Sequence, residues 1–377
     1  VQMAIDKRVH AVLITGDVYT SADHNLTAQL DYVRLLHKLA QNNIQVFAVL
    51  GNHDPLEAWK AKIPFPPNVH VFPTDAVERV PLVVDGEEVA AIYGQSYAKS
   101  EQRDNLAWKF NRAAGDRFSI GMLHTQVGSR DSTYAPCTLE DLKECGMDYW
   151  ALGHIHKHEI LCEKPYVVYA GNPQGLDCTE TGPRGCYYVE VGPYGTTDLE
   201  FIDTSIVRWE SIDLAIDGIE SVSELRESVR FAKEKVRRDI GKPTFLTVNF
   251  TGSGSMYHVL NNPEATQYWL ESWREEEQGK YAFVMVERLR NLARPKMNMD
   301  ERSKLPDSVG DYLNVFDKLE KLAPEEKAKA LRDILMSRPE FERLGAYGRA
   351  LTDQRLLETF EKAKWLGVQK LLEHRRG

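Results

Sequence analysis

This chain of 377 residues lacks several things, and each absence narrows what it can be. No apolar stretch approaches the roughly 20 residues that span a bilayer, and no charged opening followed by an apolar run marks a secretory signal. Cysteine is scarce. The five present (Cys137, Cys145, Cys162, Cys178 and Cys186) are odd in number and contain no C-x-x-C pair. That argues against a disulfide framework and a zinc ribbon, and it points to a reducing cytoplasm. A basic excess is also missing: 47 Lys and Arg stand against 56 Asp and Glu, for a net charge of −9. An acidic balance weakens any reading as a nonspecific nucleic-acid binder. The deficit is local, since residues 1–204 hold 17 basic and 27 acidic side chains while residues 205–377 hold 30 and 29. Two basic strips remain candidates for phosphate contact: Lys233, Lys235, Arg237 and Arg238, and then Arg288, Arg290, Arg294 and Lys296. Solvated helix faces are the more ordinary explanation of each strip.

What is present is a repeated local pattern. HAVLIT (10–15) is a short apolar run that ends in Gly16-Asp17. IQVFAVL (44–50) ends in GNHD, FSIGML (118–123) ends in His124, and DYWAL (148–152) ends in GHIH. Such runs, polar only at their ends, suggest strands covered on both faces. Between the first two, Asn25 is a plausible N-cap for a helix with an apolar stripe through Leu30, Val33, Leu36, Leu39 and Ala40. Thr138 with Asp141 opens another helix in a capping box, and Gly146 closes it. Strand, helix and strand in alternation predict an α/β domain. From about residue 160 short strands follow one another without a long helix. After about 205 a second unit starts with an amphipathic helix from Ser221 to about Ile240, broken at Gly241-Lys242-Pro243. TFLTVNF (244–250) reads as a strand, YAFVMVERLR (281–290) as a strand or a helix start. From about 309 the pattern is helical, punctuated by Pro324, Pro339 and Gly345. The opening VQMAIDKRV reads as the tail of a helix already under way.

In a largely parallel sheet, residues at the carboxyl ends of strands share one edge, where ligands bind. Asp17, Asn52, His124, His154 and His156 all stand at such ends, so donors from four segments are expected to converge. An aspartate can bridge two cations, asparagine adds a neutral oxygen, and imidazoles suit Mn, Fe or Zn better than Mg or Ca. Two ions about 3.5–4 Å apart favour in-line phosphoryl displacement. His53, beside Asn52, is placed to face a leaving group as an acid, with Asp54 holding its tautomer. His154 and His156, two apart, would point to one face of extended backbone. His158 reads as a bystander.

GDVY (16–19), GNHD (51–54), the His124 segment and GHIH (153–156) resemble the calcineurin-like metallophosphoesterases. APCTLEDLKECGMDYWALGHIH, YAGNPQG and GPRGCYYVEV are similar to the SbcD/YhaO group of DNA repair exonucleases within that superfamily. The resemblance implies an α/β sandwich with a small α+β capping domain and a helical C-terminal tail. It implies that Asp17 bridges two divalent metal ions, with manganese the expected ion. Asn52, His124 and His154 would complete one site, His156 would belong to the other, and His53 would be the catalytic histidine. DNA and an SbcC-like coiled-coil ATPase are the implied partners, with homodimerisation as an option.

Two departures matter. The GD-x-x-DRG of the superfamily's protein phosphatases is absent, because Val18-Tyr19-Thr20-Ser21 follows Asp17. The D-x-H of the family's first strand is absent too, and Asp23-His24 are adjacent rather than spaced, so the second metal site retains only Asp17 and His156. A few dozen residues upstream of Val1 would supply it. The expectation is therefore a nuclease domain over 1–204 lacking its first strand, a capping, DNA-binding domain over 205–300, and a helical region over 301–377. The activity expected is two-metal hydrolysis of DNA phosphodiesters. The alternatives are a noncatalytic DNA- or ATPase-docking subunit with a degenerate metal site, and a small-molecule phosphodiesterase.

The tail carries its own expectation. Leu356, Leu357, Phe360, Ala363, Leu366, Val368, Leu371 and Leu372 make an apolar face wide for a solvated helix. Part of it is expected to stay exposed for a partner helix, packing against the chain's own helices being the alternative.

Overall fold

A computed structural model describes residues 1–23, 25–58, 63–129, 131–296, 299–342 and 352–373. His24 and Gly345 lie outside these residues, and so does the side chain of Leu372. The chain divides into two compact units. The first takes Val1–Ser211 with Ile240–Leu246 and Gly279–Val284. The second takes Ile212–Asp239, Thr247–Gln278 and the described residues from Met285 onward.

In the first unit, β1 (Ala11–Thr15), β2 (Gln45–Val49) and β3 (Val69–Val71) form a parallel sheet in that order. The helix Leu26–Gln41 connects β1 to β2. Asn25 caps it by accepting from the Ala28 amide at 3.0 Å, and its buried stripe of Val33, Leu36 and Leu39 follows helical spacing. A second, mixed sheet contains β4 (Glu78–Val84), β5 (Glu87–Gln95), β6 (Ser119–His124), β7 (Tyr149–Gly153), β8 (Glu159–Glu163) and β9 (Tyr166–Tyr169). Its order is β4-β5-β6-β7-β9-β8, with β5, β6, β7 and β9 parallel and β4 and β8 antiparallel at the edges.

The ligand-bearing strands thus belong to two sheets rather than one. Phe47 and Val49 of β2 pack against Ile92 of β5, Met122 of β6 and Ala151 of β7 in one apolar core. That packing stacks the sheets face to face and brings the carboxyl ends of β1, β2, β6 and β7 to a common place. On the other face of the second sheet, Trp150 is fully buried and donates its indole N–H to the Leu142 carbonyl at 3.0 Å. Leu142 belongs to the helix Leu139–Glu144, which opens with the expected capping box. The hairpin of β10 (Gly185–Val191) and β11 (Thr197–Asp203) is a separate two-stranded sheet.

Strands Arg208–Ala215, Thr244–Thr251 and Val284–Asn291 lie in that order in one three-stranded sheet, so the 281–290 segment is a strand and not a helix start. In the second unit the helices Val222–Ile240 and Pro263–Glu275 carry buried Leu225, Val229, Trp269 and Trp273. The first basic strip is split. Lys233, only 1% exposed, pairs with Glu277 at 2.9 Å, and Arg237 grips the same carboxylate at 2.7 and 2.9 Å. Helical spacing turned these two side chains inward, which removes them from phosphate contact and leaves Lys235 and Arg238 exposed. Arg288, Arg290, Arg294 and Lys296 are all exposed.

Helices Ser308–Glu320, Pro324–Met336 and Asp353–Glu373 complete the second unit. Val368 packs with Val309 and Leu313, and Phe360 meets Phe316 at 4.9 Å between ring centres. Part of the terminal helix's apolar face is therefore internal, with Leu356, Phe360 and Val368 buried, while Ala363 is exposed and Leu366 is 53% exposed.

Candidate metal centre

Gly16-Asp17 leaves β1 in the left-handed region, at φ +92° and +56°. His154 leaves β7 at φ +96°. Two non-glycine residues held there cost on the order of 1–3 kcal/mol each, so the surrounding structure must hold them in place. The glycines preceding the key side chains have a steric purpose. A Cβ on Gly51 would lie 2.3 Å from Asp17 Oδ1 and 2.6 Å from His124 Cε1, and one on Gly153 would lie 1.9 Å from the Thr15 carbonyl oxygen. Only glycine lets the three loops close around the His124 ring.

His124 is fully buried, and its Nδ1 lies 2.8 Å from the Thr15 carbonyl. A carbonyl can only accept, so Nδ1 carries the proton and Nε2 presents a lone pair. That lone pair faces Asn52 Oδ1 at 2.9 Å and Asp17 Oδ2 at 3.3 Å. The same Asn52 oxygen lies 3.2 Å from His154 Nδ1. The ligand atoms of Asp17, His124 and His154 all fall within 4.8 Å of one another. Acceptors gathered this tightly repel unless a cation or a shared proton lies among them. One carboxylate, one amide oxygen and two imidazoles are a donor set that fits a divalent transition ion.

The protonation states agree with that role. Burial alone would raise the Asp17 carboxyl, but the adjoining His124 ring and the His53 amide outweigh it and hold it below the usual range. Burial, the largest cause, brings His154 down to about 4, so its ring is neutral at physiological pH. Burial pushes the Cys137 and Cys145 thiols up to about 11, so these two stay protonated at physiological pH and offer no competing ligand.

The remaining candidates lie around this cluster. His53 is exposed, and its main-chain N–H donates to Asp17 Oδ1 at 2.8 Å, which leaves the ring at the solvent edge. Asp54 has a different task from orienting that ring. It is 1% exposed and accepts from the amides of Asp17 (3.1 Å), Val18 (3.0 Å) and Gly51 (2.7 Å). Among the described residues its carboxylate makes no bond to the His53 ring. It staples the loop after β1 to the loop after β2, because a short buried acceptor draws in amides that would otherwise lack partners. Its burial raises the carboxyl above the usual range, with the neighbouring Asp17 charge adding to this against the amides. His156 stands outside the tight cluster and bonds through Nδ1 to Glu180 at 2.5 Å. His158 stacks on Phe201 at 3.8 Å.

Several participants carried no sequence signal. The Thr15 carbonyl orients His124, and a main-chain atom has no residue type to betray it. Tyr134 lies 4.5 Å from the His154 ring and Tyr97 5.4 Å from the His124 ring, between centres. The Tyr97 hydroxyl is buried with no hydrogen-bond partner among the described residues. Burial, and then the Asp17 charge, push its ionisation far up, so it remains an O–H donor beside the cluster.

Residues 1–158 match the calcineurin-like phosphoesterase family, and residues 209–294 match the middle domain of metallophosphoesterase YhaO. The metallophosphoesterase YhaO of Bacillus subtilis is 32% identical over 303 residues, covering 79% of this chain and 74% of that protein. The chain belongs to the calcineurin-like metallophosphoesterases. This metallophosphoesterase is also similar to the DNA double-strand break repair protein Mre11 of Sulfolobus acidocaldarius, at 21% identity over 89% of the chain and 86% of the relative. Mre11 of Thermoplasma acidophilum is 27% identical over 70% of the chain and 71% of its own length. Membership makes the chain a metal-dependent hydrolase, with the SbcD/YhaO resemblance and the α/β fold as expected. Among the described residues no helix is long and apolar enough to cross a membrane.

Proposed function

We propose that the chain is a phosphodiesterase of SbcD type that hydrolyses DNA at its ends. The convergence of Asp17, Asn52, His124 and His154 beside an exposed His53 carries this reading. These four residues hold one cation, and Asp17 with His156 contributes to a second. Manganese is the ion that suits the mixed oxygen and imidazole set. Divalent cations there would lower the pKa of water and neutralise phosphoryl charge during in-line displacement. His53 then delivers a proton to the departing oxygen from the solvent edge. The Asp17 carboxylate fixes the His53 main chain, and Asp54 fixes the loop that carries both.

Substrate and partners follow the relatives. Mre11 is a DNA double-strand break repair protein, which supports DNA as the substrate. In this reading 1–204 is the nuclease domain. Residues 205–300 cap it and hold DNA with the exposed Arg288, Arg290, Arg294 and Lys296. Residues 301–377 meet an SbcC-like coiled-coil ATPase, and a homodimer fits the same scheme. Five free cysteines suit a reducing cytoplasm.

A second reading, a noncatalytic docking subunit, is favoured by one observation: no D-x-H occurs in the sequence to complete the second ion's ligands. Hydrolysis separates them. Single- and double-stranded DNA and bis(p-nitrophenyl) phosphate, each with Mn²⁺ and with chelator, should show metal-dependent cleavage of DNA. Cleavage of the small ester alone would support a small-molecule phosphodiesterase. Loss of both, in a chain extended upstream, would leave the docking subunit.

A further inference from the structure

The segment Gly171-Asn172-Pro173-Gln174-Gly175 and the following Glu180 to Arg184 take no part in the cluster around Asp17. They converge on His156. Glu180 Oε1 lies 2.5 Å from Nδ1 of His156. Its Oε2 accepts from the Asn172 side-chain amide and from the Leu176 main-chain amide, each at 2.8 Å. The Glu180 side chain is 11% exposed while the His156 ring is 53% exposed. An ionised carboxylate can only accept, so the proton on this bond belongs to Nδ1, and in a neutral ring Nε2 keeps its lone pair.

The main chain of His156 is gripped as well. The buried Arg184 donates to the His156 carbonyl, and further to the Thr181 carbonyl at 3.2 Å and Asn172 Oδ1 at 3.3 Å. The Asn172 amide reaches the same His156 carbonyl at 3.0 Å. Gly171 permits this approach, since a Cβ there would lie 2.7 Å from the His156 oxygen. An ordinary surface His–Glu pair contributes little and fixes nothing. Here the carboxylate is nearly buried and held by two neutral donors of its own, and both ring and backbone of the histidine are constrained.

We propose that Glu180, backed by Asn172 and Arg184, is the positioning residue for His156. It sets the Nδ1–H tautomer and ring orientation so that Nε2 is the coordinating atom, as carboxylate partners do for metal-bound histidines. This rests on the reading of His156 as a metal ligand.

Long-range ¹H–¹⁵N spectra of the full chain labelled at histidine test it, with the His156 ring assigned through His156→Ala. At neutral pH the ring is expected with Nδ1 protonated and Nε2 bare. An Nε2–H tautomer in the unaltered protein would overturn the proposal. Glu180→Ala should release the ring into a mixture of tautomers. Asn172→Ala loosens the same loop but keeps the Glu180 bond, so it should preserve the Nδ1–H form. Equal release by Asn172→Ala would show that loop structure, not Glu180, sets the tautomer. Should Glu180→Ala fail to fold, the first and third spectra still decide. Zn²⁺ serves as the diamagnetic probe of the ligand role. The His156 Nε2 signal should shift at zinc concentrations about 10–100-fold lower in the unaltered protein than in Glu180→Ala. A bare Nε2 that ignores zinc would instead refute the ligand role of His156, and with it the coordinating half of the proposal.

Discussion

His53→Ala is expected to lower turnover by about 10²–10⁴-fold with bound metal unchanged, because in the proposed mechanism its ring serves the leaving group and not the cation. Asp17→Ala should lose metal and activity together. Hydrolysis of bis(p-nitrophenyl) phosphate beside metal content per chain checks both, and equal metal loss in the two variants would make His53 a ligand. Away from the site, Asp116 offers a pH test. Burial raises its carboxyl, but hydrogen bonds from Arg79 and Tyr93, the Arg79 charge and Ser119 together hold it below the usual range. A carboxyl lowered in the fold adds stability that is present above its unfolded pKa of about 3.9 and is lost as pH falls through the folded value. Asp116→Asn should therefore cost about 2 kcal/mol at pH 7, and the gap should narrow toward pH 2. A gap that stays constant with pH, in urea unfolding, would refute the assignment. At this scale the candidate ligands were legible because each followed an apolar run. The task of Asp54 was not, since a carboxylate that binds amides looks the same in sequence as one that orients a ring.

Among the elements, the loops after β1, β2 and β7 close on one another only because glycines stand at the contacts. Gly51→Ala should cost about 1–3 kcal/mol by overpacking and should also weaken metal binding, since the new Cβ meets Asp17 and His124. Calorimetric Tm and a metal titration read the two effects, and unchanged metal affinity would show that the loop relaxes elsewhere. Lys233 and Arg237 of the helix Val222–Ile240 share the carboxylate of Glu277, with Glu276 and Glu234 each 3.5 Å from one of them. Glu277→Ala leaves two cations with little solvent and should destabilise the fold by about 3–5 kcal/mol, measured by urea denaturation. The strands and capped helices could be read from periodicity and caps. The division into two stacked sheets could not, because parallel strands buried on both faces look alike whichever sheet they join. Likewise Lys233 and Arg237 read as a solvated basic strip, because Glu277, which meets both, lies 40 or more residues away in sequence.

For the molecule as a whole, the terminal helix decides how partner binding is framed. Its apolar face was legible, and packing against the chain's own helices stood as an open alternative to partner binding, because periodicity shows which side is apolar without showing what lies on it. With Leu356, Phe360 and Val368 buried, any partner must use what remains exposed, including Val315, Ile334, Met336 and Leu366. Deleting residues from 309 onward should abolish co-purification with an SbcC-like ATPase and spare hydrolysis of a small phosphodiester. Retained co-purification would move the contact elsewhere.

In the proposed site, four side chains from four strand ends hold one divalent cation. Anomalous diffraction at the manganese edge, from crystals grown with Mn²⁺, tests it most directly. The account predicts a peak about 2.0–2.3 Å from donor atoms of Asp17, Asn52, His124 and His154. A fully soaked crystal with no peak there, or with its peak at other residues, would contradict it.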